Sequence, residues 1–460
     1  MKGTRRHRSG RPLLGFFLLA LSAGAYVVER AYGGDWANWN HILGFVLLVW
    51  YLWMFLRDRS TVLLTSFYQV YYSLGMLVSA AIISGGTHMI EINQYGTQNG
   101  FFWIMMIYFV AGLEMTRVGY ECGGRVRLGP GVLRPPSGAG RLILLLVVGA
   151  TLAIAAYVFV RTGGPLLRGV DRVTFWQTMA PSGTSLLPSL VNQSFFFAAF
   201  YFLWQRRSGR SMLLPALVVM GYVLTAIFVL GQKFSAFIIF LNTWLLLLPG
   251  VLPGFRFGPK YIATVAVAMA AILAYTAASY LLDEKDISFV FTRAALQAQL
   301  LWSVFDEPGA LGLLPQQLDC YFGCGSFASG IDYITQRYLP AGLYNHYADS
   351  GNALTGFMPA ISILTFGMIA SLLLHVTVTF ILGFAQRKMV ATFASGKPIY
   401  GFLLFKAQFS LTLIWFASSL GPLRGLILTL ALIITFRIAF VRNGGPTEKT
   451  SGTRSLGATA

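Results

Sequence analysis

The chain has 460 residues, of which 56% are hydrophobic and only 11% charged, and it carries a net charge of +18. That leaves too few polar side chains to cover a water-soluble globule of this length, which excludes a soluble enzyme or a soluble nucleic-acid-binding domain. The cations stand in short segments between long apolar runs, the pattern that sets membrane topology, and no basic patch with interleaved aromatics marks a nucleic-acid partner.

The apolar runs are of helix length and do not alternate with period two, so the expected fold is all-α: a polytopic integral membrane helical bundle rather than a barrel. The basic segment MKGTRRHRSGR precedes a run from Pro12 to about Val28. The run is long and lacks a small-residue cleavage site, so it reads as a retained first helix rather than a signal peptide, with a cytoplasmic N-terminus. A second helix spans His41 to Leu56 and returns to Arg57 and Arg59; a third, Thr61 to Ser84, leads to the polar loop THMIEINQYGTQNG, which holds His88. The fourth, Phe101 to Met115, ends at a cytoplasmic loop with Arg117, Arg125, Arg127, Arg134 and Arg141. Helix five, Leu142 to Val160, opens into an outer loop over 161–184, and helix six, about Ser185 to Trp204, returns to QRRSGR. Helices seven (Met212 to Leu230) and eight (Phe234 to Leu248) are joined by the short link Gly231, Gln232, Lys233, and helix nine covers Tyr261 to Leu282. After a large outer loop over 283–352 come helix ten (Ile361 to Phe384), helix eleven (Ile399 to Ser418) and helix twelve (Gly425 to Val441). The reading is thus about twelve spans in one transmembrane domain, 1–442, followed by a flexible cytoplasmic tail, 443–460.

Two outer loops carry most of the candidate chemistry. The first holds Arg161, Arg168, Asp171 and Arg172, and the second holds Arg293, Arg337, His346 and Asp349. Arginines on the outer face run against the orientation bias, and their planar, permanently charged donors suit a lipid-linked phosphate or pyrophosphate. Pairing with Asp171, Asp283, Glu284, Asp306 or lipid headgroups is the plain alternative for each of them. Lys233 breaks the charge bias in the same way, and Arg424 stands just before the outer end of helix twelve. His346 is the one histidine in either large loop, and an imidazole is the commonest general base, although a lone histidine is more often structural. Asp349, three residues on, is placed either to orient that imidazole or to act as the base itself. Cys320 and Cys324 are close enough in sequence for a small disulfide in an oxidising compartment, while Cys122 falls on the cytoplasmic side. Lys406, inside helix eleven, faces either the bundle interior or the interface. Neither a metal-ligand set nor a nucleotide-binding motif appears, so no cofactor is expected.

Several stretches resemble the bacterial oligosaccharide repeat-unit polymerases, the O-antigen (Wzy-type) polymerases. The segment from His346 through GNALTGFMPAISILTFG at 351–367 is similar to the entry into a late helix of that family, as are GQKFSAFI at 231–238 and FTRAALQAQL at 291–300. Ten residues separate Arg172 from Gly183, like an arginine–glycine spacing of such polymerases; the second loop departs from it, since Ala348 stands eleven positions after Arg337. O-antigen ligases, which are related, place a histidine base before a late helix, and His346 sits in a like position.

The resemblance implies a C-type glycosyltransferase-like protein of the bacterial inner membrane with its active site on the periplasmic side and both termini cytoplasmic. It would transfer a growing glycan from undecaprenyl pyrophosphate to a lipid-linked repeat unit, without a metal. Arg168, Arg172, Lys233, Arg293, Arg337 and Arg424 would bind pyrophosphate, and His346 with Asp349 would activate the acceptor hydroxyl. Phe175, Trp176, Tyr333, Tyr338, Tyr344 and Tyr347 can stack on sugars or form an interfacial belt. The implied partners are undecaprenyl-pyrophosphate-linked oligosaccharides and membrane lipids, with a chain-length regulator left open. An O-antigen ligase acting on lipid A core and a lipid-linked oligosaccharide flippase or transporter are the competing readings.

Overall fold

The structure, a computed structural model, describes residues 12–32, 36–125, 138–170, 172–232, 234–252, 255, 257–282, 292, 294–306, 331–350, 358–394, 398–416 and 422–442. Lys233, Arg293, Asp171, the Cys320–Cys324 pair and the 443–460 tail lie outside the described residues, as does the side chain of Asp349.

The chain begins with α1 (Pro12–Tyr32), α2 (Trp36–Thr65) and α3 (Phe67–Ser84). Within α2 the helix breaks at Arg59, whose φ of −139° is not helical, so the return expected after Leu56 falls where the sequence places it. A two-stranded hairpin, β1 (His88–Met89) with β2 (Gln94–Tyr95), leads into α4 (Phe101–Arg125). This helix runs ten residues past the expected Met115, because Arg117 finds carboxylate partners in Glu114 and Glu121. Then follow α5 (Gly138–Thr162), the short α6 (Gly164–Arg168) and α7 (Arg172–Thr174), and a π turn over Phe175–Met179. Next come α8 (Leu187–Arg207), α9 (Leu213–Leu224) with a second π turn over Thr225–Val229, α10 (Ser235–Val251) and α11 (Pro259–Leu282). The second large loop contains α12 (Gln299–Asp306), α13 (Ile331–Tyr338) and α14 (Ala341–Ser350). The chain closes with α15 (Met358–Phe366), α16 (Met368–Ala394), α17 (Pro398–Phe416) and α18 (Pro422–Arg442). The expected helix ten is therefore two helices, parted at Gly367, whose φ of +80° lies in the left-handed region that a residue with a Cβ resists.

Among the described residues, eight helices are long and apolar enough to cross a membrane, with shorter apolar stretches at 213–229, 235–251 and 423–434. Large apolar side chains such as Phe16, Val46, Leu146, Val160, Leu217, Val267 and Ile427 point outward, an arrangement suited to lipid and costly in water. The protein is an all-α, multi-pass membrane protein.

Two buried apolar clusters form the core. One joins α1–α4 to the helices of the second large loop; the other joins α5, the first π turn and α8–α11. Four helices, α2, α3, α16 and α17, give buried residues to both. Val378 and Leu382 of α16 lie in the first cluster and Met389 and Phe393 in the second, while α3 gives Met76 to the first and Tyr68 to the second. Close approach of α4 and α16 depends on glycine. A Cβ on Gly119 would overlap the Phe380 carbonyl, one on Gly383 the Thr116 carbonyl, and one on Gly112 the His375 ring. Small residues let two membrane helices pack backbone to backbone in this way.

These contacts also fix direction. Gly112 meets His375, Gly119 meets Phe380 and Gly123 meets Arg387, in the same order along both helices, so α4 and α16 run parallel. Gly250, at the end of α10, meets Phe393 near the end of α16, so α10 runs the same way. The beginnings of α4, α10 and α16 thus share one end of the bundle, and the segments that precede them gather there.

Candidate functional site

At that loop-bearing end, the hairpin is the foundation. Met89 is fully buried and Ile92 nearly so, and the turn between the strands closes through Asn93 at a φ of +52°, a left-handed conformation that asparagine tolerates. Helix α12 docks on this base. The Trp302 indole donates to the Thr97 carbonyl at 3.2 Å, and the Thr97 hydroxyl donates to Asp306 Oδ1 at 3.2 Å. Asp306 is therefore engaged with the hairpin side of the site. Glu91, on the turn, holds two helices: Tyr347 of α14 donates its hydroxyl to Oε1 at 2.8 Å, and the buried Gln299 of α12 donates to Oε2.

The α13–α14 pair presents the second-loop candidates. Pro340 immediately precedes α14, and its carbonyl accepts from the amides of Leu343 and Tyr344. Arg337, in the last turn of α13, is exposed; its Nη1 donates to the Tyr333 hydroxyl at 3.1 Å and its guanidinium lies 5.9 Å from the Tyr338 ring centre. His346 is exposed, with its ring 6.1 Å from that of Tyr347. Asp349 belongs to the same helix.

The first-loop candidates sit on the other cluster. Gly163 and Gly164 have φ values of +75° and +72°, and a Cβ on Gly164 would overlap the Phe228 carbonyl, so α6 is pressed onto the second π turn. Arg168 is exposed and its Nε donates to the Thr162 carbonyl at 2.6 Å, so part of its fork caps the end of α5. Arg172, also exposed, donates Nη1 to Gln232 Oε1 at 2.9 Å, and Ser235 donates to the same oxygen. Gly231, at a φ of +60°, packs with Pro165 2.7 Å from where its Cβ would be. Arg172 is thereby joined to the link that carries Lys233. Arg424 is exposed in the first turn of α18, a helix that starts at the loop-bearing end because Trp415, near the end of α17, reaches His375 near the start of α16.

One expectation needs correction. Phe175 is fully buried against Trp176, where it anchors the π turn and cannot stack on a sugar. Tyr347 spends its hydroxyl on Glu91, and Tyr333, Tyr338 and Tyr344 pack partly buried against the first cluster. His88, on β1 of the hairpin, has its Nε2 3.3 Å from Asn93 Oδ1 and its ring 4.7 Å from that of Tyr95. Lys406 is half-buried within α17.

Three polar centres stand out only in the structure. Glu91 is one. Another is the buried pair Glu29 and His41, 3.4 Å apart, in which Glu29 also accepts the Gly100 amide at 3.0 Å. The third is His375, buried among α4, α16 and α17. Glu29 and His41 stand at the ends of their apolar runs, where polar residues are ordinary, whereas His375 inside SLLLHVTVTF is an ionisable residue within an apolar run, the signal that could have exposed it. Among the described residues, no group of three histidine, cysteine or acidic side chains is placed to hold a metal ion.

Compared with known proteins, residues 325–435 match the model of a family of unknown function, DUF6418. That stretch contains Arg337, His346, Asp349 and Arg424. No curated protein and no solved structure matches the chain.

Proposed function

We propose that the chain is a glycosyltransferase of the bacterial inner membrane that polymerises undecaprenyl-pyrophosphate-linked oligosaccharide repeat units, with its loop-bearing end facing the periplasm. In this reading α8, α9 with its π turn, α10 and α18 cross the membrane beside the eight long apolar helices, which makes twelve crossings and leaves both termini cytoplasmic. The observation that carries it is the 2.9 Å bond between Arg172 and Gln232. It sets the first outer loop against the Lys233 link, at the same end of the bundle as the exposed imidazole of His346.

The chemistry follows from those groups. The acceptor sugar hydroxyl loses its proton to His346 while its oxygen bonds to the anomeric carbon of the donor. The bond from that carbon to the pyrophosphate oxygen breaks, and undecaprenyl pyrophosphate leaves with the electron pair. Guanidinium donors of Arg172, Arg168 and Arg337 suit the charge growing on the leaving oxygens, which fixed cations stabilise without reorganisation.

The test is transfer by the purified full-length protein in liposomes carrying lipid-linked repeat units, with chelator present. A ladder of products is expected, slowed by about 100-fold or more in His346→Ala, the usual scale for loss of a general base. Arg172→Ala should raise the KM for the lipid-linked substrate by about tenfold, and Arg172→Lys should restore little, because a point charge does not replace a bidentate fork. Transfer to lipid A core in place of a ladder would make the protein a ligase. The absence of transfer to every acceptor would favour a flippase or transporter.

A further inference from the structure

We infer that Glu91 is a positioning residue for His346: through the Tyr347 hydroxyl it fixes the rotation of α14 and so the direction in which the imidazole is presented. The inference rests on the reading of His346 as the base that accepts the acceptor's proton.

The argument starts from helix geometry. Successive residues of an α-helix point about 100° apart, so fixing one side chain fixes its neighbour's direction. Tyr347 is turned toward the first cluster, with its hydroxyl 2.8 Å from Glu91 Oε1, and His346 beside it is turned out and exposed. Helix α14 has ten residues and rests on the first cluster through a small face of Leu343, Tyr344 and Tyr347, all only partly buried, so the directional bond from the Tyr347 hydroxyl adds to packing in setting its rotation. Helices this short do not hold themselves in water.

The anchor is firm on its own side. Glu91 sits on a hairpin turn whose flanking residues Met89 and Ile92 are buried, and its second oxygen takes a hydrogen bond from fully buried Gln299. One carboxylate therefore bridges α12 and α14. The attachment of α12 to the hairpin does not depend on Glu91, because Trp302 and Asp306 reach Thr97 separately. Losing the Tyr347 contact should loosen α14 and leave the rest of the loop docked. The Gln299 Oε1 atom is buried without a hydrogen-bond partner. In Glu91→Gln that amide can turn over and accept from the new side-chain N–H, while the new carbonyl still accepts from Tyr347, so this variant keeps the anchor and Glu91→Ala removes it.

The experiment uses the full-length protein in liposomes. Hydrogen exchange of the peptide covering α14 is expected to rise about tenfold in Tyr347→Phe and in Glu91→Ala, the scale of one hydrogen bond to a carboxylate, and to stay near wild type in Glu91→Gln. In glycan transfer, Tyr347→Phe should lower kcat by about tenfold with KM within about twofold, since misplacing a reacting group costs rate more than binding. In a His346→Ala background the same substitution should cost nothing further. Unchanged exchange in Tyr347→Phe, or an equal loss of rate with and without His346, overturns the proposal. A fully active His346→Ala enzyme instead sinks the reading of His346 as the base; it is told apart because the change in exchange persists.

Discussion

Trp415 donates its indole N–H to Nδ1 of His375 across 2.8 Å, in the interior of the bundle. Since Nδ1 accepts there, the proton of the neutral ring is on Nε2, which lies 2.9 Å from the Tyr108 carbonyl and donates to it. One imidazole thus ties α4, α16 and α17 together. Its fully satisfied bonding and complete burial make it a structural clasp, in contrast to the exposed His346.

Replacing His375 should therefore cost stability first. His375→Ala leaves the Trp415 indole without its acceptor and opens a void, together worth about 2–4 kcal/mol. His375→Gln, which can still accept and donate, should recover part of that. Thermal unfolding in detergent measures both, and a His375→Ala protein as stable as wild type would show that the clasp carries nothing.

Glycine at the α4–α16 contact gives a second prediction. A Cβ at Gly383 would overlap the Thr116 carbonyl, which is backbone and cannot swing aside, so Gly383→Ala forces the two helices apart at a cost of about 1–3 kcal/mol. Gly149, on α5, has nothing within 4 Å of its Cβ direction. There Gly→Ala should be neutral or stabilising by up to about 1 kcal/mol, from helix propensity alone. The paired measurement separates packing from propensity; equal effects at the two sites would contradict the close contact.

How far the sequence reaches can be judged at particular residues. The helices are legible because apolar runs end at arginine, glycine and proline, and even the break at Arg59 shows as a charged return. The break at Gly367 does not show, because the residues on both sides are as apolar as the helices they end and only the backbone angle marks it. Arg172 is legible as an outer cation, but its partner Gln232 is sixty positions away and meets it because the first loop packs on the second π turn, with Gly164 against the Phe228 carbonyl and Gly231 against Pro165. Tyr347 looks like any interfacial aromatic until Glu91 is seen to hold its hydroxyl. Local chemistry is written in the chain; which side chain meets which is set by helix directions that no short motif encodes.

The Glu29–His41 pair makes a third prediction. Both side chains are buried, their nearest atoms are 3.4 Å apart, and His41 packs on the Phe102 ring at 4.6 Å. Glu29→Ala strands both His41 and the Gly100 amide, a loss of about 3–5 kcal/mol, whereas replacing both side chains with apolar residues of similar size leaves only that amide unpaired, at about 1–3 kcal/mol. Glu29→Ala alone should thus destabilise more than the double change Glu29→Met with His41→Phe. Chemical denaturation of the three proteins would decide it, and a double variant weaker than Glu29→Ala would show that the pair contributes more than it costs to bury.

Charge placement leads to the last prediction. The end of the bundle opposite the loops holds Arg57, Arg59, Arg117, Arg206, Arg207, Arg210, Lys260, Arg387 and Lys388. Several of these brace helix ends: Arg59 meets Glu121 at 3.2 Å, Arg207 donates to the Val251 carbonyl at 2.9 Å, and Arg387 lies 5.2 Å over the Tyr120 ring. Among the described residues the loop-bearing end has fewer cations, among them Arg161, Arg168, Arg172, Arg337 and Arg424, and it also carries Glu91 and Asp306. Since lysine and arginine in short loops are retained on the cytoplasmic side, the first end should face the cytoplasm. Cys122, a half-buried free thiol near Arg387, marks that end. In spheroplasts, a membrane-impermeant maleimide should leave Cys122 unlabelled until the membrane is opened, and should label a cysteine placed at position 346 at once. Because the sugar chemistry proposed for His346 needs substrate delivered to the outer face, the reverse labelling pattern would remove both the orientation and the proposed reaction together.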